Sequence, residues 1–388
     1  MRDYSFLTNE QDLVQFQNEN KQIEWLCIDT EFIGEKRYQT LLCLVQVATP
    51  NGLYIFDVIQ LPHIQPILEM LIDPDILKIT HAGENDYRLL YELYDMIPKN
   101  VFDTQVAAGF IGHRYPISFR ALVQAELNIR VSKVQTVTDW ERRPMKARQI
   151  QYALDDVIPL KELHDRLSSK IAALSRTDWV KEEMKKVEFT SYYEKHPHRE
   201  VLNHNLLPVI AKKEQAFLIR LIEWRRSLAE KRNHSKEMVL AKKYIAPIVK
   251  SIHLGVEGLK QNRRISERFV KRYGEEMEEM YRQKITPEEI AILKQVPKSV
   301  KIDPKEEIKM EMLYAFINYQ CLEKSIAPEL VFPRGLFKRM KENIHLEAES
   351  LRTGWRSKIL GEAITKSLNH RNQLQIEMEE GKMVLKSA

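Results

Sequence analysis

The spacing of apolar residues changes character several times along the chain. Short apolar or alternating runs predict strands at 24–29, 41–48 and 52–57, with Pro50-Asn51-Gly52 as the turn between the last two. Three strands joined by short loops favour antiparallel pairing. Helical spacing follows at 64–71, a further strand is predicted at 77–81, and helical composition returns at 84–93. Val101-Phe102-Asp103-Thr104 reads as a short strand leading into a helix over 105–110, followed by helices at 118–126 and 147–167. Strands followed by alternating helices and strands predict an α/β domain, a mixed sheet flanked by helices. Residues 1–22 read as polar and irregular, with an apolar scatter at Leu13, Val14 and Phe16.

From Thr177 the texture changes, and residues 176–206 read as a linker helix and connector after a first domain at 1–175. Beyond it the pattern is helical. Phe217, Leu221, Trp224 and Leu228 recur at helical spacing, and a run at 269–273 closes with Gly274, read as a helix stop. A small helical domain is expected at 207–287. A weak echo between Glu223-Trp224-Arg225 and Gly354-Trp355-Arg356 makes 288–388 a second, divergent copy of it. The expected architecture is an α/β domain followed by two small all-α domains.

A length of 388 residues exceeds what one core usually holds, consistent with that division. Hydrophobic content of 44% and charged content of 30% describe a soluble globular protein. No apolar run approaches the ~20 residues of a membrane span, and Met1-Arg2-Asp3-Tyr4 lacks the charged-then-apolar order of a signal peptide. A cytoplasmic location without a membrane partner is expected. Cys27, Cys43 and Cys321 are too far apart for a disulfide framework or a zinc spacing.

Net charge of +5 hides an uneven distribution. Residues 1–170 carry 18 Lys and Arg against 24 Asp and Glu, whereas 211–272 alone carry 17 against 6. An acidic first part beside a basic module suggests metal-centred chemistry assisted by a phosphate-binding surface. The alternative is a basic face that is merely solvated.

The chemistry begins at Asp29-Thr30-Glu31. A strand sends residues i and i+2 to one face, so both carboxylates point together and repel unless a cation neutralises them. Such pairs also occur on solvated strand edges. Asp86 falls in the first turn of the helix that follows His81, where a carboxylate either reaches the same site or simply favours the helix N-terminus. Tyr152 and Asp156 are four residues apart and share a helical face, while Asp155 is turned about 100° away. Four carboxylates and a tyrosine are what metal-assisted phosphodiester hydrolysis needs: the acids hold two divalent cations, and the hydroxyl orients the attacking water.

These residues resemble the DEDD-type 3′→5′ exonucleases, and among them the ribonuclease D family. The resemblance rests on Asp29-Thr30-Glu31, Leu44-Val45-Gln46-Val47-Ala48, His81 with Asp86, Phe102-Asp103-Thr104-Gln105, Thr138-Asp139-Trp140-Glu141-Arg142-Arg143-Pro144, and Tyr152 with Asp156. It implies a ribonuclease-H-like exonuclease fold and Asp29, Glu31, Asp86 and Asp156 as ligands of two Mg²⁺ or Mn²⁺ ions. Tyr152 becomes the water-positioner of the tyrosine variant. Residues 217–281 resemble the helicase-and-ribonuclease-D C-terminal (HRDC) domain, and the sequence 354–361 resembles the second helical domain of ribonuclease D. Two departures, Asn85 before Asp86 and Val131-Ser132-Lys133, touch none of the four ligands.

The implied activity is 3′→5′ exoribonuclease trimming of structured RNA with a free 3′ end, such as transfer-RNA precursors, releasing nucleoside 5′-monophosphates. No obligate protein partner is inferred. A repair-type DNA exonuclease is the alternative within the class, and a non-catalytic RNA-binding scaffold the alternative outside it. Expected nucleic-acid contacts are Trp140, Arg142 and Arg143 beside the acids, with packing as the other reading. In the basic module Arg225, Arg226, Lys242, Lys243, Arg263, Arg264, Lys271 and Arg272 are expected on the surface, with Trp224 in the core. Asp103 reads as a helix N-cap and His81 as structural.

Overall fold

The structure is a computed structural model that describes residues 3–131, 139–194, 196–296, 303–342, 349–367, 374–379 and 381–387. Ser132, Lys133 and Thr138 lie outside the described residues. Two compact units are present: Met1–Glu31, Leu42–Tyr193 and Lys301–Ala388 form one, Phe32–Leu41 and Glu194–Val300 the other.

The first unit is built on a mixed six-stranded sheet in the order β1-β4-β3-β2-β5-β6. Its strands are β1 (Ser5–Leu7), β2 (Trp25–Ile33), β3 (Leu41–Thr49), β4 (Gly52–Asp57), β5 (Leu77–Thr80) and β6 (Val101–Asp103). β3 and β4 pair antiparallel, as the short Pro50-Asn51-Gly52 turn demands, with Val45 opposite Phe56. β2, β5 and β6 run parallel, placing Cys27 beside Ile79 and Ile79 beside Phe102. β2 runs past the predicted end at residue 29, so Asp29 and Glu31 both lie inside a strand.

Helix α1 (Glu10–Glu19) fills a stretch expected to be irregular. Asn9 caps it by accepting from the Gln11 and Asp12 amides, and Asp12 returns a bond to the Asn9 amide, while Leu13 and Phe16 are buried three residues apart. After α2 (Gln65–Ile72) and α3 (Glu84–Tyr94), helices α4 (Thr104–Gly109) and α5 (Phe119–Leu127) follow the sheet. The single long helix expected over 147–167 is two, α6 (Ala147–Asp155) and α7 (Leu160–Ala173). Pro159 causes the break, because it lacks an N–H and disfavours helical backbone at the residue before it.

The region read as a connector begins inside this unit. Helix α8 (Thr177–Met184) buries Val180 and Met184, and Tyr193 packs into the core beneath the sheet. Residues from 301 onward, expected to stand apart as part of a second helical domain, also belong here. Phe316, Phe332 and Trp355 share one core with Phe110, Leu163 and Ile171. The Trp355 ring meets Phe110 edge-on at 4.7 Å, and truncating so large a buried aromatic costs roughly 3–5 kcal/mol. Arg176 donates to the Phe110 and Ser325 carbonyls at 2.5 and 2.8 Å and also to that of Lys324. This part is helical but not purely so, since Leu374–Glu379 and Lys382–Ser387 pair as an antiparallel hairpin.

The second unit has a core of its own. Along the 21-residue helix Lys212–Arg232, Phe217, Leu218, Leu221 and Ile222 are buried and pack with Ile248, Leu259, Val270 and Met277 from the helices that follow. Gly274 does not stop a helix. It is buried within Glu267–Arg282, where an added Cβ would lie 3.2 Å from Val270 one turn earlier and in ordinary contact with Val256.

Candidate active site

β2, α3 and α6 each contribute to one acidic cluster. Carboxylate oxygens of Asp29, Glu31 and Asp156 lie within 4.8 Å of one another. Asp29 and Glu31 share a face because β2 is extended through both. Asp156 caps the C-terminus of α6 with helical backbone angles, and its amide donates to the Tyr152 carbonyl, so the break after α6 leaves the Tyr152–Asp156 relation intact. Asp86, in the first turn of α3, stands beside this trio and accepts a hydrogen bond from the Thr30 hydroxyl, between Asp29 and Glu31 in sequence. Asp155 is turned aside and accepts from Gln151 at 2.8 Å.

Among the described residues no basic side chain offsets these charges, and the carboxyls respond. Burial, then Asp86, Asp156 and Glu31, hold the Asp29 carboxyl well above its ordinary range. Burial with Asp156 and Asp86 pushes Glu31 up to about 8. Burial raises Asp86 and Asp156 to about 6 each, opposed by the Thr30 and Tyr152 hydroxyls respectively. Burial and Asp156 also push the Tyr152 phenol upward, so it stays a hydrogen-bond donor rather than a base. A crowd of buried carboxylates that raise one another's pKa values is an oxygen-only donor set, and it fits hard divalent cations.

Several supports were not legible as chemistry. Asp103 caps α4, as expected, and its carboxylate also accepts from the Ala82 and Gly83 amides at 3.0 Å, pinning the turn that delivers Asp86. Ala82 holds a φ of 57°, unusual for a residue with a side chain. His81 is structural: its Nε2 donates to the Ile117 carbonyl at 3.1 Å, and its Nδ1 lies 2.9 Å from the Thr104 hydroxyl. Buried Asp57 takes a two-pronged bond from Arg143 at 2.5 and 2.6 Å. Nothing near Asp57 in the sequence signals this, since its partner lies 86 residues away.

That pairing corrects the assignment of Arg143 to nucleic acid, because its guanidinium is consumed by Asp57 and by the Trp140 carbonyl at 2.7 Å. Trp140 is buried with its ring 6.0 Å from that of Tyr152, so it packs against the tyrosine instead of forming an open wall. Arg142 is exposed. In the basic module Arg226, Lys242, Lys243, Arg263, Arg264, Lys271 and Arg272 are exposed as expected. Arg225 is not. It is 1% exposed and bound to Glu200 at 2.9 Å, Glu237 at 2.6 Å and the Leu240 carbonyl at 2.6 Å. Trp224 is half-buried against that core and donates to Glu276 at 2.8 Å.

Two family descriptions match the chain, a 3′-5′ exonuclease over residues 4–172 and an HRDC domain over 214–280. Ribonuclease D of Nitrobacter hamburgensis is 28% identical over 372 residues, covering 92% of each chain. Ribonuclease D of Desulfotalea psychrophila is 25% identical, covering 93% of this chain and 97% of its own. The chain belongs to the ribonuclease D family. Its fold is that of Escherichia coli RNase D, described as an exoribonuclease involved in structured RNA processing, with a TM-score of 0.81 at 19% identity over 96% and 100% of the two chains. As a ribonuclease D it is a 3′→5′ exoribonuclease whose family implies divalent metal ions, and the acidic cluster of β2, α3 and α6 lies within the matched exonuclease region. Among the described residues no helix is long and apolar enough to cross a membrane.

Proposed function

We propose that this ribonuclease D trims the 3′ ends of structured RNA, such as transfer-RNA precursors, and releases nucleoside 5′-monophosphates. Asp29, Glu31, Asp86 and Asp156 would hold two divalent cations, Mg²⁺ or Mn²⁺. The observation that carries the reading is the convergence of Asp29, Glu31 and Asp156 within 4.8 Å, with Asp86 tied to the same strand through Thr30. When bound, the cations supply charge neutralisation for the attacking and leaving oxygens of an in-line displacement. The protein's own part is positional. Trp140 packs against Tyr152, the phenol shares a helical face with Asp156, and its protonated hydroxyl would orient a water against the scissile phosphate. The Asp103 carboxylate and the Asp57–Arg143 pair hold the two loops that carry these groups.

The preference for RNA over DNA rests on the ribonuclease D relatives. Incubating the protein with a 3′-end-labelled transfer-RNA precursor, with Mg²⁺ or with EDTA, tests the reading. Metal-dependent release of labelled mononucleotide is expected. Internal fragments, or equal rates on a 3′-phosphorylated end, would instead mean endonucleolytic cutting. A matched DNA strand degraded as fast as the RNA would remove the substrate assignment.

A further inference from the structure

A cavity of about 590 Å³ opens in the first unit at the N-terminal ends of β5 and β6, between those strands and helices α7 and α8. The acidic cluster stands at the other end of the same parallel strands, since Asp86 follows the C-terminus of β5. Clefts of roughly 300–1,000 Å³ with an apolar lining and a few polar groups are the sites that hold drug-sized ligands. Here Leu77 and Val180 make an apolar floor, and the Phe102 ring, packed edge-on against His164 at 4.5 Å, makes an aromatic wall. Above it stand Lys181 and Lys185, four residues apart and both exposed, with no carboxylate paired to either ammonium among the described residues. Glu188, the lining's acid, is turned onto the Asn100 amide at 2.9 Å.

We propose that this cavity is a second nucleotide site, remote from the acidic cluster, that takes a nucleoside 5′-monophosphate. A flat base suits the apolar slot beside Phe102 and the phosphate suits the paired ammonium groups, with Ser168 of α7 also in the lining. The choice of monophosphate rests on the product proposed above. Binding can be measured with catalysis switched off, so the two readings fail separately.

The test is calorimetric titration of AMP into the full-length protein in EDTA. One molecule bound per chain is expected, with the same affinity in Asp29→Asn. Lys181→Glu with Lys185→Glu should weaken binding at least about tenfold, and Ser168→Trp, which fills the cavity without changing charge, should abolish it. Absence of binding in EDTA overturns the proposal, as does binding that survives both variants or is lost in Asp29→Asn. Inorganic phosphate binding as tightly as AMP would show that no base is recognised, and would overturn the nucleotide assignment as well.

Discussion

The acidic cluster and the basic helical unit are both concentrations of like charge, but they are built in opposite ways. At the cluster the fold presses Asp29, Glu31 and Asp156 within 4.8 Å, without a basic partner among the described residues, and the repulsion is held as raised carboxyl pKa values. In the helical unit the cations Arg226, Lys242, Lys243, Arg263, Arg264, Lys271 and Arg272 are each exposed, where water screens them. Charge crowded by the backbone marks a place for a counter-ion, whereas charge spread over a surface marks a place for a polyanion. Arg225 shows the boundary between the two, for once buried it recruits Glu200 and Glu237 and leaves the surface set.

The sharpest way to break this contrast is Asp29→Asn. Turnover on a 3′-labelled RNA should fall by about 10³-fold, as when an essential electrostatic contact to the transition state is lost, with RNA affinity nearly unchanged. Asp156→Asn should be nearly as damaging, and Asp155→Asn should stay within about twofold, because only Asp156 faces the cluster. The reverse order of the last two would show that α6 is turned the other way.

A second contrast lies inside the basic unit. Arg225→Ala should destabilise it by roughly 3 kcal/mol in a denaturant titration, since it strands carbonyls and carboxylates around a buried position. Arg226→Ala, on the exposed side, should change stability by less than about 0.5 kcal/mol. Equal effects would mean that burial does not separate the two neighbours.

The raised carboxyls set the pH behaviour. Glu31, Asp86 and Asp156 bind protons more tightly in the folded, ion-free protein than in the unfolded chain, so unfolding releases protons between their ordinary values and about 6 to 8. Their contribution is fully present at low pH and is lost as pH rises through that window. In EDTA the melting temperature should therefore decline from pH 5 to pH 8, and saturating Mg²⁺ should flatten the decline. A melting profile identical with and without Mg²⁺ would count against the cluster as a cation site. The smallest expected effect is that of Arg263→Ala with Arg264→Ala. The slope of log affinity for RNA against log salt should drop by up to about two if both touch phosphate, while trimming of short oligonucleotides continues. An unchanged slope would leave those two arginines as solvated surface.

Most of the sheet was legible from short-range periodicity, which also set Asp29 beside Glu31 along β2 and Tyr152 within one helical turn of Asp156, whereas grouping these acids with Asp86 as one ligand set was implied by the family resemblance. The failures share a different cause. Leu13 and Phe16 carry too few apolar residues to announce α1 without noticing the Asn9 cap, and Pro159 was absorbed into a helical pattern that it divides. The Trp224 and Trp355 segments echo one another in sequence, yet one tryptophan is half-buried over a self-contained helical core and the other sits deep in a core shared with α4, α7 and α8. Periodicity reports that a helix has an apolar face and says nothing of which surface will cover it.

What the chain determined by itself was therefore local: the alternation that makes the central strands, the spacing that aligns Asp29 with Glu31 and Tyr152 with Asp156, and the excess of Lys and Arg over 211–272. Only the tertiary structure decided which charges are free. Asp57 and Arg143 meet across 86 residues, Arg225 is withdrawn into Glu200 and Glu237, and residues from 301 onward complete the core of the exonuclease unit. The reason is physical. Backbone periodicity fixes the direction of a side chain from its near neighbours, but burial and ion pairing depend on partners that folding brings together from distant parts of the chain, which no local pattern encodes.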